Sequence, residues 1–159
     1  MKNSSENNQI LRWGILGTGR IANTFASDIK HVNNARLYAV GSRQHPSAKN
    51  FAAKYSIDTA YGSYASLLAD PNVDAIYIAT PHTLHKEQAI AAMSAGKHVL
   101  CEKPASITPY ELEEIINVAI TKQRYFMEGM WSYFLPVITK AQDWIKAGRI
   151  GKLMHVKAC

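Results

Sequence analysis

Gly17-Thr18-Gly19-Arg20-Ile21-Ala22 follows the pattern G-x-G-x-x-A, a spacing that can hold a phosphate. The first glycine permits a tight turn, the second lets the backbone approach a pyrophosphate, and Ala22 lets a helix pack close to a strand. A helix starting here would turn free N–H groups and a partial positive charge toward the anion. Alone the pattern is weak, because an ordinary glycine turn would look the same; it gains meaning between a strand and a helix. A second polar group, Gly41-Ser42-Arg43, follows the next expected strand. Chains that take NAD usually place a carboxylate there to hold the ribose 2′-hydroxyl. Here no acid occurs until Asp58. Arg43 can pair with a 2′-phosphate and Ser42 can donate to it, which points to NADP(H) in preference to NAD(H). Arg43 could instead stack on adenine or lie in solvent.

The flanking segments supply the context that the glycine pattern needs. Residues 12–16, 36–40, 61–63, 74–80, 98–101 and 125–128 read as strands, and helical patterns separate them. Ile21, Ala22, Phe25, Ala26 and Ile29 form one apolar stripe, and Ala48, Phe51, Ala52 and Tyr55 form another. Leu67 and Leu68 face the core of a short helix capped by Ser63. The unbroken apolar character of residues 74–80 predicts a strand buried on both faces. Pro81 ends it, and a helix follows as far as Gly96. Thr108-Pro109-Tyr110-Glu111 has the capping-box pattern, ahead of Leu112, Ile115, Ile116 and Ala119. A last helix carries Val137, Ala141, Trp144 and Ile145 and closes at Gly148, and residues 153–158 read as a strand just beginning. This alternation predicts an α/β, doubly wound parallel sheet (a Rossmann fold) in the order 3-2-1-4-5-6.

Composition narrows the alternatives. With 159 residues, 47% hydrophobic and 19% charged, the chain suits one packed domain rather than a disordered segment. No apolar run approaches the roughly 20 residues that a membrane span needs. Residues 1–9 are polar, lack an apolar signal core and read as a disordered tail on a cytoplasmic protein. The net charge of +6 is scattered over helix faces, which does not suit nucleic acid. Two cysteines, Cys101 and Cys159, make neither a disulfide framework nor a zinc pattern, and Cys101 is expected in the core.

Three further segments fall at the carboxyl ends of successive strands, where open α/β sheets bind ligands. They are Thr80-Pro81-His82-Thr83-Leu84-His85, Glu102-Lys103-Pro104 and Glu128-Gly129-Met130-Trp131. Taken in order with the glycine loop, they resemble the Gfo/Idh/MocA oxidoreductases. Arg12-Trp13-Gly14-Ile15, Ala60-Tyr61-Gly62-Ser63-Tyr64 and Met127-Glu128-Gly129-Met130-Trp131 resemble its branch of dihydrodiol and NADP-dependent xylose dehydrogenases. The resemblance runs from Arg12 to Val156.

The resemblance implies hydride transfer between a sugar or diol carbinol and the nicotinamide of NADP(H). It places Lys103 beside the nicotinamide as the catalytic amine that polarises the substrate oxygen, in a Lys103–Pro104 turn expected to be cis. Glu102 would orient Lys103 or touch the cofactor ribose. Thr18, Arg20 and Ile21 would complete the phosphate loop. Thr80, Pro81, His82 and His85 would surround the nicotinamide ribose, with His82 replacing an asparagine common elsewhere in the family. Trp131 would line the substrate pocket, although Ser132-Tyr133 departs from the threonine and arginine often found next. On residue type alone Lys103 would be a surface lysine, Thr80 and Pro81 helix-start residues, and Trp131 a core aromatic.

Family members are about twice this length. Their second, open-sheet domain closes the pocket, supplies acid/base partners and commonly forms a homo-oligomer. The expected organisation is therefore a Rossmann domain over residues 10–128, then a linking helix and first strand of a truncated second domain over 129–159. Such a chain would bind nucleotide, catalyse poorly or not at all, and self-associate through apolar surface near Trp131, Phe134 and Leu135. The alternative is a non-catalytic nucleotide-binding module or redox sensor.

Overall fold

A computed structural model describes residues 10–157; the expected tail over 1–9, Ala158 and Cys159 lie outside them. The chain divides into a compact unit ending at Gly129 and a smaller one starting at Met130.

In the first unit, strands β1 (Leu11–Leu16), β2 (Ala35–Gly41), β3 (Thr59–Tyr61), β4 (Ala75–Ile78), β5 (His98–Cys101) and β6 (Phe126–Glu128) form one sheet. Its order is β3-β2-β1-β4-β5-β6, and every neighbouring pair is parallel. The order reverses between β1 and β4, so the loops that follow these two strands diverge and open a crevice at their carboxyl ends.

Helices cover both faces: α1 (Arg20–Asp28) and α2 (His45–Tyr55) on one, and α3 (Tyr64–Leu68), α4 (His85–Ser94) and α5 (Pro109–Lys122) on the other. Alternation along the strands assigns the faces. Ile15, Val40 and Tyr77 share a core with Ala22, Ala26 and Phe51, while Leu16, Ile76 and Ile78 share one with Leu67, Met93 and Ile115. All four residues of β4 are buried, as a strand with helices on both sides requires. Ser63 accepts from Ser66 N at 3.1 Å and Thr108 accepts from Glu111 N at 3.3 Å, so both expected caps are present. The Glu111 carboxylate returns one residue earlier than the usual capping box, accepting from Ile107 N at 2.9 Å.

Several expectations need revision. Strand β3 ends at Tyr61, where the expected strand over 61–63 began, and Ile21, expected in the apolar stripe of α1, is 41% exposed at the helix start. Ile116 was assigned to the buried stripe of α5 but is 43% exposed. The helix is rolled so that Ile115 is central, with Leu112, Val118 and Ala119 half-buried beside it. Ile116 instead lines a shallow groove with Tyr125 and Phe126 along β6, the edge of the sheet. Residues 153–157 form no strand. A strand needs a neighbour to take its N–H and C=O groups, and none pairs with this stretch among the described residues.

The second unit holds a short turn, Trp131–Phe134, and helix α6 (Pro136–Lys146). Val137, Trp144 and Ile145 on α6 remain exposed.

At the end of the sheet away from the crevice, Asp74 accepts from Arg12 N at 2.8 Å, Nε at 3.0 Å and Nη2 at 3.0 Å. The Arg12 guanidinium holds the Asp74 carboxyl below its usual range. A depressed carboxyl stabilises the fold fully above its unfolded pKa of about 3.9 and loses that contribution as pH falls from there through the lower folded pKa. Urea titrations between about pH 5 and pH 2 should therefore show a smaller acid-induced loss in Asp74→Asn than in the parent. Equal losses would remove Asp74 as a source of acid sensitivity.

Candidate cofactor and catalytic site

Three strand ends meet at the glycine loop. Gly17 has φ +102°, and a Cβ there would come within 2.9 Å of the Ala79 carbonyl oxygen. Its N–H donates to Gly41 O at 2.9 Å. Left-handed backbone and an immovable strand carbonyl together demand glycine. Gly19 is different: its φ is −76°, and a Cβ would meet no atom within 4 Å. Neither conformation nor packing within this chain requires glycine at that position. The clearance instead suits a close approach from outside, as a pyrophosphate makes.

Helix α1 starts at Arg20 with no side-chain cap and no acid in its first turn, so its leading N–H groups have no side-chain acceptor. Arg20 and Ile21 are exposed on the rim, and Ala22 is fully buried beneath them. This is the donor set that an anion at a helix N-terminus needs.

Ser42 is buried beside the loop, its N–H donating to Tyr61 O at 3.1 Å. Arg43 is exposed. With Thr18, Gln44 and Ser47 these two residues line a polar depression of about 530 Å³. The phosphate loop and Arg43 thus open onto one space with no carboxylate among its lining residues. Gln44 and Ser47 were not singled out in the sequence; they are ordinary residues of a helix start, and only the fold turns them toward Thr18.

The loops after β4 and β5 are joined through His85, which is 1% exposed. Its Nε2 lies 2.9 Å from Thr80 O and its Nδ1 2.7 Å from Pro104 O. Thr80 Oγ1 donates to Gln88 Oε1 at 2.5 Å, while Pro81 and His82 are exposed at the mouth. The Lys103–Pro104 peptide is cis, as the resemblance implied. Beyond it, Ala105 N donates to Glu128 Oε1 at 2.8 Å, so His85 and Glu128 hold the Lys103–Pro104–Ala105 turn from two sides. Lys103 itself is exposed.

The preceding Glu102 is half-buried and accepts a hydrogen bond from the Tyr77 hydroxyl. Burial, then the Glu102 carboxylate, pushes the Tyr77 phenol well above its usual range, so it remains a donor. Cys101 is fully buried, as expected, and burial raises its thiol to about 12. It is therefore not a nucleophile at neutral pH. Trp131 lies on the second unit, 66% exposed.

The first unit thus gathers Gly17, Thr18, Gly19, Arg20, Ile21, Ser42 and Arg43 at one end of the crevice. It gathers Thr80, Pro81, His82, His85, Glu102 and Lys103 at the carboxyl ends of β4 and β5. No amino-acid side chain here accepts a hydride, so redox chemistry would come from a bound nucleotide, for which the clearance over Gly19 leaves room. Among the described residues no cluster of acids, histidines or cysteines could hold a metal ion, and no helix is long and apolar enough to cross a membrane.

Comparison with known proteins agrees with this geometry. A trans-1,2-dihydrobenzene-1,2-diol dehydrogenase of Mus musculus is 39% identical over 150 residues, covering 93% of this chain and 45% of that protein. A D-xylose 1-dehydrogenase (NADP(+)) of Hypocrea jecorina is 36% identical over 169 residues, covering 98% and 43%. Among solved structures, an NAD-binding oxidoreductase from Klebsiella pneumoniae superposes with a TM-score of 0.82 at 30% identity, covering 89% of this chain and 40% of that one. A 3-ketoreductase mutant from Actinomadura kijaniata, solved with TDP-benzene and NADP, gives 0.86 at 29% identity, covering 91% and 45%. The chain spans less than half the length of these relatives. Residues 11–130 match the Gfo/Idh/MocA profile (oxidoreductase family, NAD-binding Rossmann fold), and the chain belongs to that family.

Proposed function

We propose that this chain binds NADP(H) in preference to NAD(H) and serves hydride transfer to or from a sugar or diol carbinol. The observation that carries the cofactor choice is the depression lined by Thr18, Ser42, Arg43, Gln44 and Ser47, which offers a guanidinium and hydroxyls and no carboxylate. A 2′-phosphate fits that donor set, and an acid able to grip a bare 2′-hydroxyl is missing from it. Two of the relatives are described with NADP in their names, which favours the same choice.

Bound NADP(H) would supply the hydride donor or acceptor at nicotinamide C4. The chain's own residues hold the two ends of that molecule. Gly17, Gly19 and the start of α1 take the pyrophosphate, with Thr18, Arg20 and Ile21 around it. Thr80, Pro81 and His82 border the nicotinamide ribose, while His85, buried beneath them, takes no direct part and holds their loop to the Lys103–Pro104 turn; Glu102 is held by Tyr77 just before Lys103. The Lys103 ammonium polarises the carbinol or carbonyl oxygen as charge develops there. The sugar or diol class follows from the relatives' names, a diol dehydrogenase and a xylose dehydrogenase.

Fluorescence titration of NADPH and NADH into the parent chain and Arg43→Ala tests the cofactor choice. Losing the charge-assisted bond should weaken NADPH binding by about 1.5–3 kcal/mol, with little change for NADH. Equal losses for both would sink the assignment. Tight NADPH binding together with turnover of a sugar or diol would rule out a nucleotide-binding module that does no chemistry.

A further inference from the structure

Asn23 sits in the first turns of α1, where asparagine is a poor helix former and its side chain would usually face water. Here the side chain is half-buried and fully engaged. Its Nδ2 donates to the Gly19 carbonyl at 2.8 Å and lies 3.5 Å from the Thr18 carbonyl. Its Oδ1 accepts from Lys54 Nζ at 2.8 Å and from the Tyr55 hydroxyl at 2.7 Å. Lys54 fixes which way the amide points, because a flipped amide would set its NH2 against the ammonium and its oxygen against the Gly19 carbonyl. The ammonium also polarises the amide and strengthens its donation to Gly19.

The donors come from the last turn of α2, the helix whose first turn lines the Arg43 depression. Tyr55 is itself steadied by Phe51, ring centroids 4.8 Å apart, and Lys54 Nζ lies 5.0 Å from the Tyr55 ring centre. In a planar trans peptide the carbonyl and the following N–H point in opposite directions. The Gly19 carbonyl accepts from the Asn23 backbone N–H at 3.1 Å as well as from its Nδ2, and this pair of donors holds the Arg20 N–H on the opposite side, at the uncapped start of α1.

We propose that Asn23, clamped by Lys54 and Tyr55, is a positioning residue that orients the Gly19–Arg20 peptide toward the pyrophosphate of the bound nucleotide. It rests on the nucleotide reading given above and adds a coupling: α2 grips the adenosine end directly and the pyrophosphate end through Asn23.

Isothermal titration with two ligands separates this role from a general one in stability. NADPH carries the pyrophosphate; adenosine 2′-phosphate carries only the end that faces Arg43. Asn23→Ala should weaken NADPH binding about tenfold or more and leave adenosine 2′-phosphate within about twofold. Tyr55→Phe, which removes one hydroxyl and keeps the ring on Phe51, should show the same selectivity with a loss of about threefold. If Asn23→Ala does not fold, Tyr55→Phe makes the same comparison. Equal losses for both ligands, or unchanged NADPH affinity, would overturn the inference and leave the nucleotide reading standing. A parent chain that binds neither ligand would overturn both.

Discussion

Lys103→Met is expected to lower whatever turnover of a sugar or diol the protein shows by about 10²–10⁴-fold, the usual contribution of a group that polarises or protonates a reacting oxygen. NADPH affinity should fall by less than about tenfold. The separation follows from where the lysine stands. Its side chain is exposed beyond the end of β5, and the nearby hydrogen bonds are made by other residues: Glu102 to Tyr77, Pro104 to His85 and Ala105 to Glu128. The turn should keep its shape when the amine is removed, so a lost rate would report on chemistry. Steady-state turnover beside a fluorescence titration reads the two quantities separately. Parallel losses would make Lys103 a cofactor contact only, and unchanged turnover would remove it from the mechanism.

His85→Leu should lower stability by about 1–3 kcal/mol. The ring is buried between the Thr80 and Pro104 carbonyls, and leucine fills much the same space without a donor. A part-buried carbonyl that loses its ring donor costs about 1–3 kcal/mol. The neighbouring histidine is an internal control. His82 is exposed, and among the described contacts its side chain makes no hydrogen bond, so His82→Leu should stay within about 0.5 kcal/mol. Urea unfolding would show the difference as a lower midpoint for His85→Leu at unchanged slope. Similar midpoints for the two variants would mean that water replaces the ring without penalty.

The sheet order was legible in the sequence because each strand is short, apolar and followed by a stripe at helical spacing. A right-handed crossover leaves few ways to connect such units. The glycine loop was legible because its backbone geometry restricts Gly17 and Ala22 to small residues. Much of the remaining site was not. Asn23, Gln44 and Ser47 carry no motif; each gains a role only when elements distant in sequence meet, Lys54 and Tyr55 of α2 against Asn23, and Gln44 and Ser47 beside Thr18. Ile116 illustrates the opposite error. Its spacing from Leu112 fits a buried stripe, but no periodicity reveals that α5 lies at the sheet's edge, where one flank has no neighbour. Residues 153–157 had the composition of a strand, and composition cannot supply the partner that a strand needs.

Gly19 also bears on how this protein would respond to selection. Its position caps a helix that has no other cap, and serine or aspartate there would typically stabilise the fold by a few tenths of a kcal/mol relative to glycine. No atom lies within 4 Å of where a Cβ would stand. Selection for robustness alone would therefore drift away from glycine at 19 and gain stability with each step. Selection for a nucleotide would keep it against that gradient, so the residue records a demand made by a guest rather than by the host.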